Sequence, residues 1–226
     1  MASVTLVQVG MGTIGGEVIE QAIANRDRWW DAHGLDVRIG AVIGLGGALG
    51  REALLALIRS ARPLISGYHS IEDQLQPNGF DLSVAEVGQF AHGGAIGRTN
   101  AGRSLPDVRP LPFDDTGWLE LQPGPYPIVF NETVDLPNNL MALGRPRSSL
   151  CRLGATLATA VWDAGYRGRS TALLIVENPA GMRIERAARV LQLVFFTLDA
   201  PTVRGYDGTY QDENLGVGPS DQSRRE

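Results

Sequence analysis

The chain has 226 residues, 43% of them hydrophobic, with a net charge of −5 and one cysteine, Cys151. That suits a globular protein of one good-sized domain, with or without an appendage, and argues against bulk nucleic-acid binding, which needs a basic face. The lone cysteine excludes an internal disulfide framework; no apolar run approaches the roughly 20 residues of a membrane span, and no basic leader is seen, so a cytoplasmic protein is expected.

Residues 1–46 predict a partial Rossmann-like βαβ appendage. VTLVQVG (4–10) is a short apolar strand, GMGTIGG a glycine turn, EVIEQAIANRDRWWDAHG an amphipathic helix and VRIGAVIG a second strand. Gly10, Gly12 and Gly15 match G-x-G-x-x-G between strand and helix, as a dinucleotide fingerprint requires. The stretch resembles the opening of the nucleotide-binding domain of homoserine dehydrogenase. Yet the second strand ends in Ala41-Val42-Ile43-Gly44, without an acid for a ribose, and one βαβ unit cannot build a cofactor crevice. NAD binding is therefore not expected, and the glycine-rich GLGGALG (44–50) is the natural boundary.

From Leu49 the pattern changes. REALLALIRSA (51–61) is a short helix with apolar positions at Leu54, Leu55, Leu57 and Ile58. Short apolar runs punctuated by proline and glycine follow, predicting strands near 81–87, 118–121, 126–133, 139–143, 156–161, 171–177, 182–186 and 190–198. Many short strands without intervening helices indicate a mainly β sandwich or barrel over residues 47–204. The stretch from His92 to Pro112 reads as a long polar loop, mobile or packed on a neighbour. The tail, 205–226, is polar and glycine-bearing, a segment that stays loose or orders on ligand binding.

The stretch Gly144–Gly168 is the richest in chemistry. Arg147, Ser148 and Ser149 offer a guanidinium fork and two hydroxyls suited to phosphate oxygens. Asp163 can orient or deprotonate a water, and Tyr166 can lie beside a sugar. Together they read as a nucleoside triphosphate site with a hydrolytic base. Each has a plainer alternative: Asp163 capping the Asp-Ala-Gly turn, Ser148 and Ser149 starting a helix, Arg152 in a surface ion pair, Tyr166 in the core. Gln192 interrupts an apolar strand and must be satisfied by a phosphate or an interior partner. His33, His69 and His92 are scattered and give no zinc-ligand spacing.

Five segments carry a second resemblance, over residues 49–216. QPNGFDL (76–82), FNETVDLPNNLMALGRPRSSLCRLG (130–154), AVWDAGYRG (160–168), ARVLQLVFF (188–196) and RGYDGTYQ (204–211) stand in the order and spacing of the dUTPase and dCTP deaminase family, especially its archaeal-type dUTPase branch. The resemblance implies a distorted β-barrel of the β-clip type, assembled as a homotrimer with sites at subunit interfaces. It implies hydrolysis of dUTP to dUMP and pyrophosphate, Asp163 positioning the water that attacks the α-phosphorus. Arg147, Ser148, Ser149, Arg152 and Gln192 would take the triphosphate, and Mg²⁺ would be held through its phosphate oxygens. Tyr166 would face the deoxyribose, and backbone groups around Ala158–Val161 would read uracil. Tyr210 and Gln211 would belong to the tail that covers the phosphates, and Asp81 would hold structure near the site. The family's deaminases carry a glutamate five residues beyond the glycine matching Gly168; here that position is Leu173. Glu177, four residues further along a strand, lies about 13 Å away and cannot stand in. Hydrolysis is thus expected over dCTP deamination, with a nucleotide-binding module lacking turnover as the other alternative.

Overall fold

The computed structural model describes residues 2–9, 25–33, 35–43 and 47–216. In the N-terminal stretch β1 (Ala2–Val9) pairs in parallel with β2 (Leu35–Ile43), and helix α1 (Arg26–His33) lies between them in the chain. The predicted strand–helix–strand order is present in the described residues; the glycine fingerprint and the first half of the predicted helix, 17–24, lie outside them.

The rest is mainly β. Helix α2 (Arg51–Ile58) buries Leu54 and Ile58, one turn apart, as its apolar spacing predicts. It is followed by β3 (Ile65–Ser66), the one-turn helix α3 (Ile71–Gln74), β4 (Leu75–Gln76) and the 12-residue β5 (Gly79–Phe90). Then come β6 (Val108–Leu111), β7 (Trp118–Leu121), β8 (Gly124–Phe130), β9 (Thr133–Asp135) and β10 (Leu140–Pro146). A short helix, α4 (Ser148–Arg152), leads to β11 (Ala155–Ala158), β12 (Arg167–Gly168), β13 (Thr171–Val176), β14 (Met182–Glu185) and β15 (Arg189–Thr197).

An eight-stranded sheet runs β10-β15-β5-β8-β13-β11, with β4 and β6 attached to β5. Its two ends meet: Ala142 of β10 exchanges backbone hydrogen bonds with Trp162, just beyond β11, at 2.9 and 3.1 Å. That bridge nearly closes the sheet into a barrel and removes most of its free edge. Strand β13 shows how the sequence sets the wall, with Ala172, Leu174 and Val176 facing inward and Leu173 and Ile175 half-exposed. Phe80, Phe130, Phe195, Leu82 and Ile128 fill the interior. Two small sheets, β12-β9-β3 and β14-β7, complete the body.

Two expectations change. The predicted strand 126–133 is two: β8 ends at Phe130 and β9 joins a different sheet, the break falling at the buried Glu132. The predicted 92–112 loop is partly ordered, with Ala95 bridging Ser104 and β6 pairing antiparallel with β5. Polar composition hid that strand because its residues are mostly exposed on both faces.

Candidate functional site

The predicted site residues fall into two groups. The first gathers where β5, β15 and the end of β10 run side by side. Asp81 of β5 lies opposite Gln192 of β15, which lies opposite Arg145 of β10. The Asp81 carboxylate is 1% exposed and accepts from Nη1 of Arg147 at 3.0 Å and Nη1 of Arg189 at 3.4 Å. Burial pushes its pKa above the ordinary aspartate range, and the two guanidinium groups pull against that shift. Asp81 therefore orients Arg147, whose side chain remains part-exposed. Ser148 and Ser149 stand exposed at the start of α4, and Arg152, also exposed, folds its Nη1 back onto the Ser148 carbonyl at 3.2 Å.

A buried carboxylate that sequence reasoning missed supports this group from behind. Glu132, wholly buried, accepts from Ser83 N at 2.9 Å, Ser83 Oγ at 2.6 Å and Gln74 Nε2 at 2.6 Å. Gln74 also donates to the Asp81 carbonyl at 2.9 Å. Desolvation raises the Glu132 pKa, and these donors oppose the rise. Local sequence carries little sign of it: Glu132 stands between Asn131 and Thr133, and only its burial demands these partners.

The second group surrounds an open cavity of about 280 Å³ walled by Ala160, Val161, Asp163, Tyr166, Tyr210 and Glu213, among others. Asp163 is exposed at its rim, while Tyr166 is 6% exposed and forms its floor. Between them Gly165 turns the chain at φ +87°, and a Cβ there would stand 2.7 Å from the Gly205 Cα. Glycine thus permits both the turn and the close passage of the tail.

The tail is zipped along the 164–171 segment. Tyr206 N donates to the Ala164 carbonyl at 2.7 Å, Asp212 N to Arg167 O at 2.8 Å, and Arg169 N to Glu213 O at 3.0 Å. Gln211 donates Nε2 to Gly165 O at 3.1 Å and accepts from Arg167 N at 3.1 Å, so it anchors the tail. Tyr206 packs edge-on against Tyr166, ring centres 5.7 Å apart. From the 91–107 hairpin Arg103 reaches across, donating to Thr209 Oγ1 at 2.9 Å and stacking over Tyr210.

Beneath the cavity runs a chain of hydrogen bonds. Trp162 Nε1 donates to Ser170 Oγ at 2.6 Å, Ser170 and Tyr166 hydroxyls meet at 2.8 Å, and Tyr166 Oη donates to Glu213 Oε1 at 2.8 Å. Burial and the neighbouring Glu213 charge push the Tyr166 pKa far up, so it stays a neutral donor. Ser170 and Glu213 were not anticipated.

The structure thus gathers Asp163, Tyr166 and Tyr210 around one cavity, with Gln211 beside it, and Arg147, Gln192 and Asp81 around another locus. Arg147, Ser148, Ser149, Arg152 and Gln192 are not in the cavity wall. Leu173 sits half-exposed on β13, opposite Ala158 and Pro127, and its face carries Thr171 and Ile175 rather than an acid. Among the described residues no three His, Cys, Asp or Glu side chains cluster as metal ligands, and no helix is long and apolar enough to cross a membrane.

Comparison with known proteins follows the same outline. A family model described as dCTP deaminase-like matches residues 48–198. The probable deoxyuridine 5′-triphosphate nucleotidohydrolase of Methanosarcina mazei is 47% identical over 166 residues, spanning 74% of this chain and 97% of that one. Its namesake from Archaeoglobus fulgidus is 45% identical over 152 residues, 67% of this chain and 89% of that one. The 2′-deoxycytidine 5′-triphosphate deaminase of Agrobacterium tumefaciens shares the fold, with TM-score 0.50 at 21% identity over 68% of this chain. This chain covers about half of that protein's length, 49%. On the span of the family match and the identity to these relatives, the chain belongs to the dCTP deaminase-like family.

Proposed function

We propose that the protein hydrolyses dUTP to dUMP and pyrophosphate. The observation that carries this reading is the 47% identity, over 97% of its length, to a protein named as a probable dUTP nucleotidohydrolase. The cavity supports it. Asp163, exposed at the rim, accepts a proton from a water and holds it in line with the α-phosphorus. Tyr166 closes the floor beneath the deoxyribose, and the backbone around Ala158–Val161 faces the base. Arg147, Ser148, Ser149, Arg152 and Gln192 bind the triphosphate, where charge-assisted hydrogen bonds to guanidinium are strong.

These two groups do not share a wall within one chain, so a homotrimer that brings one copy's Arg147–Arg152 segment to another's Asp163 completes the site. Magnesium fits as a companion of the nucleotide. The acid nearest the phosphate residues, Asp81, is engaged by two arginines, which leaves phosphate oxygens and water as the donors. When bound, the ion would neutralise phosphate charge. Deamination is disfavoured because the β13 face offers Leu173 and Ile175 where proton shuttling needs a carboxylate.

The test is a nucleotide screen reading pyrophosphate and ammonia together, on wild type and Asp163→Asn. Pyrophosphate from dUTP, lost by about 10³-fold or more in the variant with the fold intact, is the expected outcome for removal of a catalytic base. Ammonia from dCTP would instead assign deamination, and tight dUTP binding without pyrophosphate a binding module. Wild-type turnover in Asp163→Asn would remove that residue from its role.

A further inference from the structure

Two carboxylates line the cavity, Asp163 and Glu213, and the hydrolytic reading uses only the first. Glu213 does not simply hang from the tail. Its side chain accepts from the Tyr166 hydroxyl at 2.8 Å, and Thr171 beside it works against the burial that raises its pKa. Its backbone bridges in parallel to Gly168.

The direction of every bond in this chain is fixed by its ends. An indole Nε1 only donates, and an ionised carboxylate only accepts. Trp162 therefore donates to Ser170, Ser170 must donate to Tyr166, and Tyr166 must give its one proton to Glu213. The phenol is held at its oxygen by Ser170 and Glu213 and at its ring by the edge-on contact with Tyr206. Two of those three restraints, Glu213 and Tyr206, belong to the tail.

We propose that Glu213 is a positioning residue that acts through Tyr166: seating the tail locks the tyrosine ring against the sugar pocket and so sets discrimination between deoxyribo- and ribonucleotides. The proposal rests on the hydrolytic reading for its substrate, and on geometry alone for the coupling. With Glu213 gone, the Tyr166 hydroxyl loses its acceptor, the ring gains freedom, and a 2′-hydroxyl is tolerated.

Two experiments test it separately. In the first, kcat/KM for dUTP and UTP is measured for wild type, Glu213→Ala, Glu213→Gln, Tyr166→Phe and the Glu213→Ala/Tyr166→Phe double variant. The dUTP/UTP ratio is expected to fall about tenfold in Glu213→Ala, the scale of one lost hydrogen bond to a charged group. Glu213→Gln, which keeps an oxygen toward Tyr166, restores most of it, and the double variant falls no further than the larger single loss. An unchanged ratio in Glu213→Ala, or additive losses, would overturn the proposal and leave Glu213 a tail anchor. The second needs no substrate. The Trp162 indole N–H resonance, identified by its absence in Trp162→Phe, should shift in Glu213→Ala and hold in Glu213→Gln. An unmoved resonance in Glu213→Ala breaks the coupling whatever the enzyme hydrolyses. Absence of pyrophosphate from wild type with the resonance shifting sinks the hydrolytic reading and the sugar role, while the coupling stands.

Discussion

Replacing Glu132 with glutamine changes one atom and should destabilise the protein. The two carboxylate oxygens meet donors on both sides: Gln74 Nε2 and Ser83 Oγ at one, Ser83 N at the other. A glutamine amide offers one oxygen, so its NH₂ must face a donor whichever way it turns. Two of the three donors, Gln74 Nε2 and the Ser83 amide, cannot become acceptors, and they sit at different oxygens. Gln74 is fixed in its flip because its own oxygen accepts from His69 N at 2.8 Å and Ser70 N at 3.0 Å. Ser83 Oγ already accepts from Asn131 Nδ2 at 3.0 Å. At a fully buried position the unmatched donor costs about 2–3 kcal/mol. For a protein of this size that lowers Tm by roughly 4–12 °C. Thermal and urea unfolding at neutral pH measure both, and Glu132→Ala, which orphans all three donors and opens a cavity, should lose more. A Glu132→Gln protein as stable as wild type would show that the carboxylate carries a proton at neutral pH, and that the donor count is misread.

Two further outcomes follow from the tail. An added Cβ at Gly168 would lie 2.7 Å from the Tyr166 hydroxyl oxygen and 3.1 Å from Glu213 Cγ, so Gly168→Ala must displace one of them. Hydrogen exchange at the Arg169 amide, which donates to Glu213 O, should accelerate about tenfold or more in that variant, the scale of an overpacking strain of 1–3 kcal/mol; unchanged protection would refute the close fit. Burial raises the Glu213 pKa when the tail is seated, opposed by the Tyr166 and Thr171 donors, with Tyr206, Asp163, Arg167 and Arg169 nearby. Seating therefore takes up a proton: it is strongest below the ordinary glutamate pKa and weakens as pH rises through the raised one. Exchange protection corrected for intrinsic rate should follow that sign and flatten in Glu213→Gln; the opposite slope would count against it.

The β framework was legible because its strands alternate or bury whole: β13 and β15 carry their own period, and seven of the eight predicted strands each meet one strand, with ends shifted by a few residues, while 126–133 meets two. What escaped were pieces whose reason lies elsewhere in the chain. Strands β3, β9 and β12 are two or three residues long and exist only by pairing with one another. Strand β6 is exposed and borrows its order from β5. In the site, residue type pointed to Asp163, Tyr166 and Arg147, since each has a chemistry of its own. Glu132 and Glu213 matter through partners 49 and 47 residues away, a distance that no local pattern spans, and Ser170 through two aromatic side chains, Trp162 and Tyr166, whose approach the fold decides. The tail, polar and glycine-bearing, reads as a segment that stays loose or orders on ligand binding; its described part, to Gly216, pairs its backbone with 164–171, and residues 217–226 lie outside the described residues.

The fixed polarity of the Trp162–Ser170–Tyr166–Glu213 chain has a consequence for how a sugar is told apart. The phenolic proton is committed to Glu213, so none remains for a ligand; what the tyrosine presents upward is a wall. A wall rejects an extra hydroxyl by lack of room, and walls of this kind separate analogues by about a hundredfold, far short of what a dedicated hydrogen-bond pair achieves. Selection here is a matter of upholstery rather than of a lock, and its sharpness depends on how firmly the tail holds the padding in place.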